Sequence, residues 1–226
     1  MIAITGGKGG TGKTTTTLAL GRALVARGRS VLVVDGDWDL PDLGALAGRS
    51  RRVDYPEEPR RAPERGVAVD GDWDEDGDAS LHVLPAPERP TDLEPHDTFR
   101  VVADGADPET TVLVDCPAGA APDAVAPVRA ADRALLVTEA CAAALRDAAK
   151  TAAVARRVDT SVAGAVVTRA AVVPSGVDAV LGCPVLGCVP GVDGAVEASA
   201  RGRAAYRAIA AQVADDEPSV KSRRTV

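Results

Sequence analysis

The chain has 226 residues, a formal net charge of −7 and 46% hydrophobic residues, of which aromatics are only 2% of the chain. That length suits one large α/β domain, with a core built mostly from Ala, Val and Leu. The acidity disfavours a broad nucleic-acid face, which needs clustered cations, and no apolar run approaches a membrane span.

The first apolar run, Ile2-Ala3-Ile4, predicts a strand, and a glycine-rich loop follows it at once. A strand leading into glycines is not the layout of a signal peptide, so the expected location is cytoplasmic. Residues 15–26 predict a helix, with Leu18, Leu20, Leu24 and Val25 apolar. Val31-Leu32-Val33-Val34 predicts a buried strand ending at Asp35. Residues 49–79 break the pattern with clustered arginines, several prolines and the acidic run DGDWDEDGD, and predict a surface excursion. Residues 81–84 resume as a strand, and a helix is expected around 93–103. Strands are expected at 111–114, ending at Asp115, and at 134–137, 163–167 and 184–189. Helices are expected over 142–157 and from about residue 194 to 213. The alternation of short apolar runs with helical patterns predicts a mostly parallel sheet flanked by helices on both faces. No internal repeat or second core is visible. The expectation is one domain over residues 1–215 and a polar tail over 216–226.

Gly7-Lys8-Gly9-Gly10-Thr11-Gly12-Lys13-Thr14 satisfies G-x-x-x-x-G-K-[ST], with a strand before it and a helix after it. Glycines let the backbone wrap a phosphate, and the amides at the helix start donate to it. Lys13 is expected to reach the β- and γ-phosphates, and Thr14 to present its hydroxyl to Mg²⁺. A Mg-nucleotide site also needs carboxylates at strand ends. Asp115 follows four apolar residues, and VVDGDWDLPDLG places Asp35, Asp37, Asp39 and Asp42 past another strand. The expected fold class is therefore a single-domain P-loop NTPase.

Lys8 to Thr15 reads KGGTGKTT, which resembles the KGGxGKTT signature of the MinD/ParA family of deviant Walker A ATPases. VLVVDGDWDLPDLG resembles the family's first switch, and VLVDCPAG its Walker B strand and second switch. Residues 131–148, 162–170 and 181–203 resemble later family segments, while 49–109 match weakly. The resemblance implies an ATP-driven homodimer, with ATP and Mg²⁺ as cofactors. It implies that Lys8 crosses to the partner's phosphates, Asp37 orients water, Asp35 supports the metal shell and Asp115 holds Mg²⁺ through water. Gly7, Gly9, Gly10, Thr11, Gly12, Lys13, Thr14 and Thr15 would cradle phosphate, and Gly119 would let the second switch approach it. Thr168 and Arg169 fall where the family reads the base, although Thr lacks an amide's paired donor and acceptor. Asp42 replaces a common Asn. Trp38 is either a partner contact or a packing residue.

The expected role is a slow, Mg-dependent ATPase switch that positions a division site, a chromosome or plasmid, or a polar assembly, with an unidentified activator or cargo. Two alternatives stay open: an iron–sulfur carrier, and a nucleotide-binding scaffold with negligible turnover. Cys183 and Cys188 have the wrong spacing for a CxxC clip, and all four cysteines are expected to be small buried hydrophobes. The tail after Val213 lacks an apolar stripe, so no autonomous membrane anchor is expected. Arg201, Arg203 and Arg207 would suit DNA, but a solvated helix face is favoured.

Overall fold

The computed structural model describes residues 1–69 and 79–215. In chain order these form β1 (Ile2–Thr5), α1 (Lys13–Val25), β2 (Val31–Asp35), α2 (Leu43–Leu46), β3 (Arg52–Val53), β4 (Val67–Ala68), β5 (Leu81–Leu84) and β6 (Ala86–Pro87). There follow α3 (Pro95–Gly105), β7 (Thr111–Asp115), α4 (Pro122–Ala130), β8 (Arg133–Glu139), α5 (Ala142–Arg157), β9 (Ser161–Thr168), α6 (Val177–Leu181), β10 (Val185–Val189) and α7 (Ala200–Asp215). Eight strands pair in the order β10-β9-β8-β1-β7-β2-β5-β4, and a separate short pair joins β3 to β6. Within the large sheet the neighbours run parallel, except β4 against β5.

The two faces follow from the period of a strand. Ile2, Ile4, Val31, Val33, Leu113, Leu135 and Val137 point to one side, where Leu18, Leu20 and Leu24 of α1 and Tyr206, Ile209 and Val213 of α7 cover them. Leu32, Val34, Val112 and Val114 point to the other side, beneath Phe99 and Val102 of α3. Ala3 and Ala134 lie under α4 and α5. Small residues on these helices let them sit close to the sheet, which is how an Ala- and Val-rich chain fills a core with few aromatics. Because the central strands are buried on both sides, they read as unbroken apolar runs.

Parallel strands bring their carboxyl ends to one edge. Asp35 pairs in register with Asp115, and Asp115 with Ile4, so both aspartates flank the start of the glycine loop. Glu139 and Thr168 end the next strands on the other side and pair in register. Ligands of α/β sheets bind at this edge.

The structure departs from the sequence expectations in several places. First, the described part of the excursion, residues 49–69, is not a purely surface segment: Tyr55, Ala62 and Val69 are buried. Its acidic run and the polar tail lie outside the described residues. Second, α4 was not foreseen; Pro122 occupies its start, where an amide donor is not needed, and Pro127 lies within it. Third, α6 was also missed, being a short helix between Gly176 and Gly182, both left-handed. Fourth, the last helix begins at Ala200 rather than near residue 194. Ser199 starts it, its hydroxyl oxygen accepting the Gly202 amide at 2.9 Å. Among the described residues no helix is long and apolar enough to cross a membrane.

Candidate nucleotide site

The loop between β1 and α1 is held by its surroundings. A Cβ on Gly7 would stand 2.4 Å from the Asp147 carbonyl oxygen of α5, so only glycine passes there. Gly12 has φ +89, a left-handed turn that starts α1 and is costly for any residue with a side chain. At Gly9 and Gly10 an added Cβ would meet nothing within 4 Å, so the mouth of the loop is open. That open, glycine-rich loop at the start of a 13-residue helix fits a phosphate group.

Lys13 is buried, and its ammonium turns back to the Lys8 carbonyl at 3.4 Å. Thr11 caps the same carbonyl with its hydroxyl at 3.3 Å. Lys8 itself is exposed, and its ammonium has no ion-pair partner among the described residues. Thr15 is half-buried beside Thr14 at the start of α1.

Asp35 and Asp115 form the acidic floor. Both are buried, at 0% and 2% exposure. Asp35 accepts the Asp37 amide on Oδ1 and the Leu43 amide on Oδ2, each at 3.1 Å. Asp115 is reached by the Thr14 hydroxyl and by the Thr17 hydroxyl at 3.2 Å. Burial, followed by mutual repulsion with Asp115, pushes Asp35 up to about 8. Burial pushes Asp115 up to about 7, against the pull of Thr14, Lys13 and Thr17. Burial thus biases both carboxyls toward the protonated form. An all-oxygen set of Thr14, Asp115 and Asp35 is the donor chemistry Mg²⁺ takes, often with waters between.

Asp37 stands past β2, half-buried, its Oδ1 accepting the Leu40 amide at 3.1 Å. Burial raises its pKa, while the Leu40 amide and nearby Lys13 pull it down. Gly119, in the loop after β7, places its amide 3.4 Å from the Gly6 carbonyl, so that loop touches the glycine loop. Asp42, at the start of α2, is exposed and pairs with Arg51. Trp38 is a packing residue in this chain: it is buried, its ring centroid lies 5.1 Å from that of Phe99, and its indole N–H donates to the Asp35 carbonyl at 3.1 Å.

Thr168 differs from the base-reading position that the resemblance implied. It is buried, and its hydroxyl lies 2.7 Å from the Thr11 carbonyl and 3.2 Å from the Thr138 carbonyl. The group is committed to bracing the phosphate loop from β9. Arg169, with φ +53, is exposed and pairs with Glu139 at the rim. Thr17, not singled out in the sequence, belongs to the site. It lies three residues after Thr14 in the threonine run, hence on the same helix face.

The cysteines divide. Cys116 and Cys183 are buried, Cys188 is half-buried, and Cys141 is exposed, contrary to the expectation that all four are buried. Among the described residues none of them joins a group of His, Cys, Asp and Glu placed to hold a metal. Arg201, Arg203 and Arg207 are exposed on α7, and Arg203 donates to the Ala198 carbonyl at 2.7 Å.

Residues 2–205 match the family model of the CobQ/CobB/MinD/ParA nucleotide binding domain. The chain belongs to this family. Among the relatives of this MinD/ParA-family chain, the septum site-determining protein MinD of Bacillus subtilis is 34% identical over 153 residues, covering 65% of this chain and 56% of the relative. The chain thus spans little more than half the length of that relative. The cell division ATPase MinD of Pyrococcus furiosus has the same fold, with TM-score 0.77 and 28% identity, covering 95% of this chain and 98% of that one. MinD of Pyrococcus horikoshii, complexed with Mg-ADP, is similar with TM-score 0.77 and 25% identity over 94% of each chain.

Proposed function

We infer that this MinD/ParA-family chain is a Mg²⁺-dependent ATPase that works as a nucleotide-bridged homodimer and serves as a positioning switch. The observation that carries the reading is the division of labour between two lysines of one loop. Lys13 is buried and turned inward, whereas Lys8 is exposed at the open mouth with no ion-pair partner among the described residues. A cation left in that position suits a second copy's phosphates, where it neutralises developing charge in trans.

The remaining residues fill defined roles. The amides of 7–15 hold the phosphates, and Asp37, its pKa raised by burial, orients the attacking water. Thr14, Asp115 and Asp35 would hold Mg²⁺, which supplies charge neutralisation on the phosphate oxygens when bound. Gly119 brings the second switch to the loop, so nucleotide contact moves the surface around both switches, and a partner that prefers one arrangement shifts the population. The Bacillus subtilis relative is a septum site-determining protein and the Pyrococcus horikoshii relative is complexed with Mg-ADP. The first supports a positioning role and the second a Mg-nucleotide as ligand; action in the cytoplasm through an activator or cargo protein belongs to the same proposal.

Light scattering with Mg²⁺ and ATP tests the reading. A doubling of mass with ATP, reversed as phosphate appears, is the expected result. A protein that stays monomeric at every nucleotide concentration would overturn it.

A further inference from the structure

Residues 49–55 lie outside both the phosphate loop and the aspartates, yet they grip the backbone that carries Asp37. Arg52 donates from Nη2 to the Trp38 carbonyl at 2.6 Å and from Nη1 to the Pro87 carbonyl at 2.7 Å. Arg51 donates to the Pro41 carbonyl at 2.7 Å and pairs with the Asp42 carboxylate. The rigid fork of Arg52 thus ties the turn after β2 to β6, whose Pro87 pairs in register with Val53. A Cβ on Gly44 would meet the Ser50 carbonyl oxygen at 2.0 Å, so α2 lies tight against the same strap.

The turn is fixed at its start and by Trp38: the Gly36 amide donates to the Asp115 carbonyl at 2.8 Å, the Asp37 amide to Asp35, the Leu40 amide to the Asp37 carboxylate, and the buried Trp38 packs on Phe99 with its indole N–H on the Asp35 carbonyl. The Trp38 carbonyl is held from outside the turn, by Arg52. The excursion does not need Arg52 to stay in place, since Tyr55, Ala62 and Val69 fasten it by burial. The Tyr55 hydroxyl also donates to the Pro85 carbonyl at 3.2 Å. The bond from Arg52 to Trp38 therefore acts on the turn rather than on the excursion. Arg52 touches neither the glycine loop nor Lys13.

We propose that Arg52 is a positioning residue that sets where Asp37 stands, so that the strap at residues 49–55 tunes hydrolysis without contacting nucleotide. The proposal rests on the ATPase reading for its kinetic consequence, but its structural half is tested without nucleotide. Arg52→Gln and Arg52→Lys are made in a Trp73→Phe background, leaving Trp38 as the reporting indole. In nucleotide-free protein, acrylamide quenching of Trp38 rises about twofold in the Gln variant, as expected for a loosened turn. Quenching is intermediate in the Lys variant, because an ammonium remakes one bond of the fork.

In turnover, kcat falls about tenfold or more for Gln with KM for ATP and binding stoichiometry unchanged, as for a misplaced catalytic group. Lys restores part of it, and Arg61→Ala, an exposed control, changes neither readout. Unchanged Trp38 quenching in the Gln variant would overturn the proposal. So would a fall in binding stoichiometry matching the fall in kcat, which marks a folding loss. If the wild type binds ATP and never hydrolyses it, the ATPase reading fails by itself, and the quenching arm still decides whether Arg52 holds the turn.

Discussion

Asp115→Asn tests the acidic floor, because the substitution removes one charge from a pair buried side by side. In the folded chain burial lifts Asp115 from 3.8 to about 7, while an unfolded chain ionises it near 3.8. Between those values the unfolded state has released its proton and the folded state still holds it. Stability therefore falls as pH rises through that window and levels off above about 7. At about 1.4 kcal/mol per pKa unit, the full penalty has a ceiling of roughly 4 kcal/mol; relaxation around the pair lowers it. Asparagine is neutral at every pH, and its amide still meets the Thr14 and Thr17 hydroxyls, which donate or accept equally well. It also relieves the repulsion on Asp35. The assay is denaturant unfolding at a series of pH values from about 5 to about 8, without nucleotide. The variant is expected to gain on the wild type as pH rises and to be the more stable protein at the alkaline end. Adding Mg²⁺ and nucleotide reverses the order, since a bound ligand stabilises only the chain that binds it. Parallel pH curves for the two proteins would refute the reasoning.

Further outcomes follow from the same geometry. Lys8→Ala keeps nucleotide binding by its own loop and loses ATP-dependent dimerisation and the linked turnover; an unchanged turnover rate removes the trans role. Asp37→Ala, lacking the water-orienting carboxylate, accumulates an ATP-bound dimer visible by light scattering, and a dimer that dissociates at the wild-type rate counts against that assignment. Thr168→Val costs about 1–3 kcal/mol of stability and weakens ATP binding by leaving the Thr11 carbonyl short of a donor. Thr168→Ser restores both, and neither variant alters the preference for ATP over GTP; a changed base preference would return Thr168 to the nucleotide base. Gly7→Ala drives a Cβ into the Asp147 carbonyl and lowers the melting temperature while abolishing nucleotide binding, and a variant that melts and binds as the wild type shows that α5 yields.

Much of the site was legible because its chemistry is local. The glycine loop needs a left-handed Gly12 and unbranched backbone next to α5, and those demands are written in consecutive residues. Asp35 and Asp115 each end an apolar run, so their place at the carboxyl edge followed from strand polarity alone. The hold of Thr168 on the Thr11 carbonyl was not legible, because chain position marks only a family segment, whereas the direction of its hydroxyl depends on how β9 packs beside the loop. The grip of Arg51 and Arg52 was invisible for a similar reason: their partners, Trp38, Pro41 and Pro87, come from other segments, and in sequence the arginines looked like an exposed basic cluster. The short helix α4, with Pro122 at its start and Pro127 within it, has no strong apolar period to announce it.

What the sequence by itself determined is the periodic pattern and the phosphate loop: strands from unbroken apolar runs, helices from their spacing, and Lys8 and Lys13 in one signature. What only the tertiary structure decided is which side chains share a site. Parallel pairing of β1, β7 and β2 sets two carboxylates side by side and buries them, and burial, not sequence, raises their pKa values. The excursion became a strap only when Tyr55, Ala62 and Val69 sank into the core and carried Arg52 onto the turn of Asp37. Local backbone preference is encoded within a few residues, whereas proximity across the sheet arises from burial of the whole chain.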